Sequence, residues 1–277
     1  MKKILVPTDF SATADKALDY AIQIAKKSSG EIILLHVCTL PMAELADDPA
    51  EMKKYNHLKL AEANKQLFSY KGSVTEPNVT LKTIIVESEI VEGITEVADN
   101  HDVDLILMGT QGASGIKALV MGSHTSAVVA ATRIPVIAVP SKYTGGTPKS
   151  IVLALEEDED DKVLSPVFEL RNLFNSKLKT LTFTSQDAAV VEMRRHDHTL
   201  TESSSRLKTD YQLEELASDH IFGRDFNEAL EIYTKEKNVN LVVMITHRKN
   251  LLQRLFRISM TRKMTYSTDI PLLCLHA

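Results

Sequence analysis

Short apolar runs alternate with longer stretches of helical periodicity along the first half of the chain. This alternation is typical of βαβ units, in which buried parallel strands are covered by amphipathic helices. We predict strands at Ile4–Val6, Ile32–Val37, Val79–Val86, Leu105–Met108 and Val136–Val139. The stretches between them predict helices at Ala14–Lys27, at about Pro49–Tyr70, at about Ile90–Asn100, and from near Ser123 to before Pro135.

The same alternation begins again in the second half, with apolar runs at Ile151–Leu155, Leu178–Phe183, Leu241–Ile245 and Leu272–Leu275. The segment from Met108 to Pro135 and the segment from Met244 to Pro271 have the same length and align without a gap. A repeat of this length indicates a duplicated domain rather than a solenoid. We therefore predict a first domain at 1–140, a linker at 141–149 that contains glycine and proline, and a second domain at 150–277.

Composition places the chain among ordinary globular proteins, since 277 residues with 44% hydrophobic and 25% charged side chains suit two packed domains. The formal net charge of -5 gives no basic field, which argues against nucleic-acid binding. The sequence shows neither a signal peptide nor an apolar span near the roughly 20 residues of a membrane helix, so we expect a cytoplasmic protein without membrane contact. Cys38 and Cys274 are expected to be small core residues.

Glycines mark the loop after the fourth predicted strand, which reads Gly109-Thr110-Gln111-Gly112, then nine residues, then Gly122-Ser123 opening a helix. In an open α/β sheet this loop lies at the carboxyl edge, where ligands bind, and glycine lets backbone N–H groups approach phosphate oxygens. The helix start adds N–H donors and the positive end of the helix dipole. The alternative is plain turn chemistry, with Ser123 as an ordinary N-cap.

Polar residues also follow the first predicted strand, as Pro7-Thr8-Asp9. The Asp9 carboxylate lies at the same edge, where it either accepts hydrogen bonds from a base or ribose or caps the next helix. Val37 ends the second predicted strand. It is either a plain core residue or one whose backbone serves the crevice.

Three segments together resemble the universal stress protein family over the whole first domain: Val6-Pro7-Thr8-Asp9-Phe10-Ser11, Leu34-Leu35-His36-Val37, and the glycine spacing of 109–123. The resemblance implies two tandem open-sheet α/β domains of the adenine nucleotide alpha-hydrolase-like fold. Each would be a five-stranded parallel sheet in the order 3-2-1-4-5, flanked by helices. The resemblance also implies the branch of the family that binds ATP or AMP, here in the first domain.

The resemblance divides the candidate binding residues into two groups. The adenine side would comprise Pro7, Thr8, Asp9 and Val37, and the ribose and phosphate side Gly109, Gly112, Gly122 and Ser123. Gln111, His124 and Thr125 flank the phosphate loop as further candidates, each with a solvent-facing or capping role as the alternative. A divalent ion, Mg²⁺ or Mn²⁺, is expected only through the phosphates, near Ser123 and Thr125.

The second domain departs from this pattern at nearly every ligand position. Ile245, Arg248 and Ile258 stand opposite Gly109, Gly112 and Gly122, and only Ser259 matches its counterpart Ser123. Ala154-Leu155-Glu156 replaces Pro7-Thr8-Asp9 and opens an acidic run to Asp161, which would repel a polyphosphate. We expect a degenerate copy and one nucleotide per chain.

Two further clusters have alternative interpretations. The basic residues between Arg248 and Lys263 either bind an anion or an acidic partner or form a solvated helix face paired with the acidic run at 156–161, and we prefer the solvated face. His196-Asp197-His198 lacks the further ligands of a metal site, so we interpret it as a polar loop or helix end.

The sequence contains no serine–histidine–acid order, no H-E-x-x-H and no P-loop, so we interpret the protein as a binding module, with slow ATP hydrolysis as an open alternative. The main hypothesis is an adenine-nucleotide sensor whose occupancy orders the 110–121 loop for a protein partner. The rival is a structural adaptor in which the nucleotide is incidental. The resemblance implies an intramolecular pseudo-dimer through the edge strands Val136–Val139 and Leu272–Leu275, and a further homodimer stays open.

Overall fold

The computed structural model describes residues 1–43, 46–70, 72, 74–110, 122–155, 159–186, 204–213, 215–246 and 270–277. The strands in these ranges are β1 (Lys3–Pro7), β2 (Glu31–Cys38), β3 (Thr80–Glu87), β4 (Leu105–Gly109), β5 (Val136–Val139), β6 (Ser150–Ala154), β7 (Lys177–Ser185), β8 (Ala217–Gly223), β9 (Leu241–Thr246) and β10 (Leu272–His276). The helices are α1 (Ala12–Ser28), α2 (Pro49–Tyr70), α3 (Ile90–Asn100), α4 (Ser123–Ala131), α5 (Asp161–Phe174), α6 (204–210) and α7 (Phe226–Glu236).

All these strands belong to one sheet in the order β3-β2-β1-β4-β5-β10-β9-β6-β7-β8. The strands of each half are parallel to one another and have the order 3-2-1-4-5, which confirms the predicted fold class. The halves meet where β5 pairs with β10 in antiparallel orientation, with Ala138 opposite Leu272 and Val136 opposite Cys274. These are the edge strands that were expected to pair.

The antiparallel pairing of β5 and β10 places the carboxyl ends of the two strand sets at opposite edges of the sheet. At the edge where β1–β5 end, β6–β10 begin. The connection between β5 and β6 therefore stays at one edge. Tyr143 in this connection is buried, and its ring packs edge-on against Tyr20 of α1 at a centroid distance of 5.2 Å. This packing makes the connection part of the apolar core.

Helices cover both faces of the sheet, which explains why the central strands are continuous apolar runs. One face, which includes Ile4 and Val6, packs against α1, α2, α5 and α6, and the other, which includes Leu5, packs against α3, α4 and α7. Cys38 and Cys274 are buried and free, as expected. Among the described helices, none is long and apolar enough to cross a membrane.

The duplication is visible in the strand register. Gly109 lies opposite Val139 on β4 and β5, and the aligned Ile245 lies opposite Leu275 on β9 and β10. The sequence pattern did not locate β8, because polar side chains at 218–220 interrupt its apolar run. β8 lies at the edge of the sheet and, among the described strands, pairs only with β7, a position that tolerates polar residues.

Candidate functional site

The candidate site lies where β1 and β4 are neighbours in the sheet. The chain leaves β1 toward β2 on one side and leaves β4 toward β5 on the other, so a crevice opens between their carboxyl ends. Pro7 ends β1, Gly109 ends β4, and Val37 lies one residue before the end of β2. Helix α4 begins at Ser123, directly after Gly122, and is tied to the end of β4. The described part of the predicted constellation therefore gathers at one edge of the sheet.

The segment that follows β1 is fixed by its own hydrogen bonds. The Thr8 N–H donates to the Leu35 carbonyl at 2.8 Å, which extends the β1–β2 ladder by one residue. The Thr8 side chain is buried, and its hydroxyl oxygen accepts the Phe10 N–H at 3.0 Å. Asp9 is exposed, and its carboxylate accepts the Ser11 N–H at 3.1 Å. The carboxylate is thus held at the carboxyl edge with access to solvent.

Helix α1 is capped by Ser11 and not by Asp9. The Ser11 Oγ accepts the Ala14 N–H at 3.2 Å, and Ser11 is the N-cap residue. The capping alternative for Asp9 is therefore wrong. Asp9 lies two residues before the N-cap, and its carboxylate folds back onto the backbone in the manner of an Asx turn.

The N-terminus of α4 has no side-chain cap from any residue that the structure describes. Its N-cap is Gly122, whereas α1, α5 and α7 are capped by Ser11, Asp160 and Asp225. Ser123 is the first helical residue and is exposed, so the alternative that it is the N-cap is wrong. No described side chain occupies the first N–H groups of α4, and such groups can donate to an anion at the positive end of the helix dipole.

His124 and Thr125, on the first turn of α4, have different surroundings. Thr125 is buried, and its hydroxyl donates to the Gly109 carbonyl at 2.8 Å. This bond joins the start of α4 to the end of β4, so Thr125 has a structural function of its own. His124 is exposed.

Both described glycines of the loop are also required by packing. A Cβ on Gly109 would lie 2.9 Å from the Thr13 carbonyl oxygen, and a Cβ on Gly122 would lie 2.8 Å from the Thr110 carbonyl oxygen. A larger residue at Gly109 would push α1 away from β4, and one at Gly122 would displace the backbone at Thr110. Close backbone packing is therefore a reason for glycine that adds to phosphate access.

The side chain of Val37 packs within the core, in agreement with the interpretation of Val37 as a plain core residue. Val37 is half-buried, and its Cγ1 would lie 3.1 Å from a Cβ on Gly93 of α3. Only its backbone belongs to the edge of the sheet where β2 ends.

Two residues within the quoted motifs had no assigned role. The ring of Phe10 stacks on His36 at a centroid distance of 4.4 Å, and His36 Nδ1 lies 2.8 Å from the Thr8 carbonyl oxygen. An aromatic residue directly after Asp9, in an otherwise polar turn, was the signal that could have drawn attention to this cluster.

At two aligned positions of the second half, the described residues are branched and apolar. Leu155, opposite Thr8 in the alignment, and Ile245, opposite Gly109, are buried in one apolar cluster. In the described part of the acidic run, Asp160 caps α5 and Asp161 pairs with Arg206 at 2.7 Å. These carboxylates therefore have structural functions in the second half.

Several predicted features lie outside the described residues. They are Gln111, Gly112, the segment His196–His198, the counterparts Arg248, Ile258 and Ser259, and the basic tract at 248–263. Within the described ranges, no group of three or more histidine, cysteine, aspartate or glutamate side chains is placed to hold a metal ion.

Known proteins share this architecture. Residues 1–140 match the Universal stress protein family. A universal stress protein of Methanocaldococcus jannaschii is 32% identical over 155 aligned positions, covering 51% of this chain and 96% of the relative. Universal stress protein YxiE of Bacillus subtilis is 31% identical over 145 positions, covering 50% of this chain and 97% of the relative. The crystal structure of a universal stress protein from Archaeoglobus fulgidus, 17% identical, has a TM-score of 0.69 and covers 99% of this chain and 96% of that one, so the fold is shared over both halves.

Proposed function

The chain belongs to the universal stress protein family, and we propose that its first half binds one adenine nucleotide, ATP or AMP, in the crevice between β1 and β4. The observation that carries the proposal is the N-terminus of α4. It begins after Gly122 without a cap from any described side chain, and it is tied to the end of β4. A phosphate group would supply acceptors for these backbone donors, which no described side chain caps, and the negative charge that the helix dipole favours.

The proposed nucleotide lies with its nucleoside toward β1 and β2 and its phosphates toward α4. Asp9 is exposed and anchored to the backbone, and in the proposed complex its carboxylate also accepts a hydrogen bond from a ribose hydroxyl or a base amine. Ser123 is exposed on the first turn of α4, where its hydroxyl would donate to a phosphate oxygen. Mg²⁺ or Mn²⁺ would reach the site with the phosphates, because phosphate oxygens supply ligands that such cations prefer.

The second half is proposed to bind no nucleotide. Leu155 and Ile245 are 5% and 1% exposed, and they pack in the same apolar cluster. An adenylate would have to displace these side chains from the core, which costs about 2–5 kcal/mol for each large residue lost from packing. One nucleotide per chain follows from this difference between the halves.

Titration calorimetry with ATP and with AMP tests the proposal, together with mass spectrometry of small molecules released from freshly purified protein. We expect a stoichiometry of one. Ser123→Ala should weaken binding by at least about tenfold, because a hydrogen bond to a charged group contributes about 1.5–3 kcal/mol. The serine is exposed and does not cap α4, so the fold should be unaffected.

A matched pair of charge removals separates the site from the rest of the surface. Asp9→Asn keeps an acceptor for the Ser11 N–H and removes the charge, and it should weaken binding about fivefold. Asp102→Asn removes the same charge at the opposite edge of the sheet, before β4, from an exposed residue with φ 49 that asparagine also adopts. It should leave affinity unchanged. Two equivalent adenylate sites, or no binding by the wild type, would refute the proposal.

We further propose that occupancy acts as a signal, because the loop at 110–121 joins the end of β4 to the start of α4. A nucleotide that contacts both ends would order this loop and bias contacts with a protein partner. Hydrogen exchange of the loop with and without saturating ATP is the test. Unchanged protection would exclude the sensor mechanism while leaving nucleotide binding intact.

A structural adaptor is the second candidate, and the pairing of β5 with β10 favours it. That pairing joins the halves into one sheet and covers two strand edges, a structural function that requires no nucleotide. The combined Ser123→Ala and Asp9→Asn variant distinguishes the two functions. Partner binding that survives the loss of nucleotide would favour the adaptor, and partner binding that disappears with it would favour the sensor.

A further inference from the structure

Phe10 has a left-handed backbone conformation, with φ 62. For a bulky residue this conformation is an outlier that costs of order 1–3 kcal/mol and persists only where the surrounding structure compensates for it, and such residues cluster at functional sites. The other non-glycine residues of positive φ within the described ranges all follow a helix, where a left-handed residue commonly ends the helix; they are Ser29, Asp102, Asn175, Gln212 and Asn238. Phe10 alone among them lies between a strand and a helix, at the candidate site.

Short-range hydrogen bonds link the residues on either side of Phe10, within the segment 8–11, and one further bond joins this segment to β2. The Phe10 N–H donates to the Thr8 hydroxyl at 3.0 Å, and the Ser11 N–H donates to the Asp9 carboxylate at 3.1 Å. From β2, His36 Nδ1 lies 2.8 Å from the Thr8 carbonyl oxygen. A carbonyl oxygen only accepts, so Nδ1 of His36 carries the hydrogen of this bond.

The ring of Phe10 contacts the histidine that bonds to the Thr8 carbonyl oxygen. It stacks on the imidazole of His36 at a centroid distance of 4.4 Å and an interplanar angle of 28°. On α2, Tyr70 lies 6.4 Å from the Phe10 ring, and its hydroxyl donates to Asp15 of α1 at 2.6 Å. The stack therefore spans the end of β2, the last residue of α2 and the first turn of α1.

We infer that Phe10 is a positioning residue of the nucleotide site: its ring, stacked on His36, holds the Thr8–Asp9 segment in the conformation that presents the Asp9 carboxylate to the nucleoside. This inference rests on the proposed nucleotide binding. The left-handed backbone turns the ring toward β2, and the ring keeps the imidazole in the plane that donates to the Thr8 carbonyl. Without the ring, the segment populates other conformations, and affinity falls in proportion to the lost competent fraction.

Calorimetric titration of three variants with ATP and with AMP tests the role of the ring. Phe10→Tyr keeps the ring and should bind within about twofold of the wild type, whereas Phe10→Gly permits the same φ without a ring and should bind about fivefold more weakly, a loss no larger than that of the Asp9 contact itself. Phe10→Leu keeps apolar bulk without a stacking face, and its affinity should fall between the two. Thermal unfolding of each variant without nucleotide identifies any that fails to fold. Wild-type affinity in Phe10→Leu or Phe10→Gly would overturn the inference.

A double-mutant cycle tests whether Phe10 acts through Asp9. In an Asp9→Ala background, Phe10→Gly should reduce affinity by less than about twofold, because the group that it positions is already absent. An equal loss in both backgrounds would show that the ring acts independently of Asp9, and it would overturn the mechanism.

Nitrogen NMR of the histidine side chains tests the positioning without any nucleotide. The wild type and Phe10→Tyr should show the Nδ1–H form of His36, and Phe10→Gly should show averaging toward the Nε2–H form, with His36→Gln identifying the signal among the 9 histidines. An unchanged signal in Phe10→Gly would overturn the inference even if nucleotide binds. A wild type with the expected signal and no affinity for ATP or AMP would instead refute the proposed function.

Discussion

Tyr20 on α1 is 1% exposed, and its hydroxyl has no hydrogen-bond partner among the described residues. Burial raises the pKa of Tyr20, so the hydroxyl is neutral and its cost is that of an unpaired polar group. Leaving such a group unsatisfied costs about 1–3 kcal/mol. The substitution Tyr20→Phe removes the oxygen and keeps the ring that packs on Tyr143 at 5.2 Å.

We therefore expect Tyr20→Phe to stabilise the protein, which is unusual for a change in a core. The substitution also removes the dispersion contacts of the oxygen. We therefore expect a gain in the free energy of unfolding at the lower end of the range of about 1–3 kcal/mol, that is, about 1 kcal/mol. For a protein of this size that free energy corresponds to a rise in Tm of about 2 °C. Unfolding in urea without nucleotide measures the free energy, and calorimetry measures the Tm.

Tyr143→Phe is the matched control, because it changes the other ring of the same pair. The Tyr143 hydroxyl donates to the Gly146 carbonyl at 2.6 Å, so its removal should destabilise the protein by about 0.5–1.5 kcal/mol. The two substitutions delete the same type of atom from residues that pack against each other, and they should change the free energy of unfolding in opposite directions. A loss of stability in Tyr20→Phe comparable to that in Tyr143→Phe would refute the reasoning, since it would mean that the Tyr20 hydroxyl has a partner.

Two further predictions concern the crevice and the carboxy-terminal strand. Gly122→Ala places a Cβ 2.8 Å from the Thr110 carbonyl oxygen and should weaken nucleotide binding more than tenfold while costing about 1–3 kcal/mol of stability. Gly72→Ala places a Cβ that meets no described atom within 4 Å and should change stability by less than about 0.5 kcal/mol, which makes it the control in the same calorimetric assay. Burial lowers the pKa of His276 below 6.5, so its contribution to stability is complete above pH 6.5 and declines as the pH falls toward the folded-state pKa. Urea unfolding between pH 7.5 and 5.5 should show a smaller loss of stability in His276→Gln than in the wild type, and an equal loss would contradict this prediction.

The structure gives the physical reason for the pKa of His276. The Thr246 hydroxyl donates its hydrogen to the Leu275 carbonyl at 2.9 Å, so its oxygen accepts the bond from His276 Nδ1, also at 2.9 Å. In the neutral ring, Nε2 is then the unprotonated nitrogen. It is buried and has no partner among the described residues. Protonation would place a charge where nothing described compensates it.

The regular elements of the first half could be predicted from the sequence because their boundaries coincide with local chemistry. Helices α2 and α3 have the predicted limits, and the predicted α1 is extended to Ala12 by the cap at Ser11. The capping role was assigned to Asp9 as an alternative, and Ser11, which also has a capping oxygen and stands two positions later, was not proposed as the cap. The choice between them depends on backbone angles at Phe10 that composition does not reveal.

The second half was harder to predict where its residues are polar. β8 lies at the edge of the sheet. Its residues Ser218 and His220 form hydrogen bonds with Thr180 and Thr182 of β7. Its strand character depends on pairing with β7, which is a tertiary effect. The roles of the glycines could likewise be predicted only in part. Their spacing indicated a ligand loop, whereas the close approach of Gly109 to Thr13 depends on how α1 crosses the sheet.

The antiparallel orientation of the two halves determines which parts of the second half lie near the proposed nucleotide site. Because β5 and β10 are antiparallel, the strand ends that would form a second crevice lie at the opposite edge from the site between β1 and β4. The second half therefore cannot complete the first site with its own equivalent loops. At the edge of that site it presents instead the beginnings of its strands and the connection that carries Tyr143, which packs on Tyr20 of α1. Helix α1 also approaches the end of β4 closely, with Thr13 beside Gly109, so the packing of the connection on α1 supports the helix that lies beside the crevice. On this argument, substitutions that loosen the Tyr20–Tyr143 contact should reduce nucleotide affinity without any contact to the nucleotide.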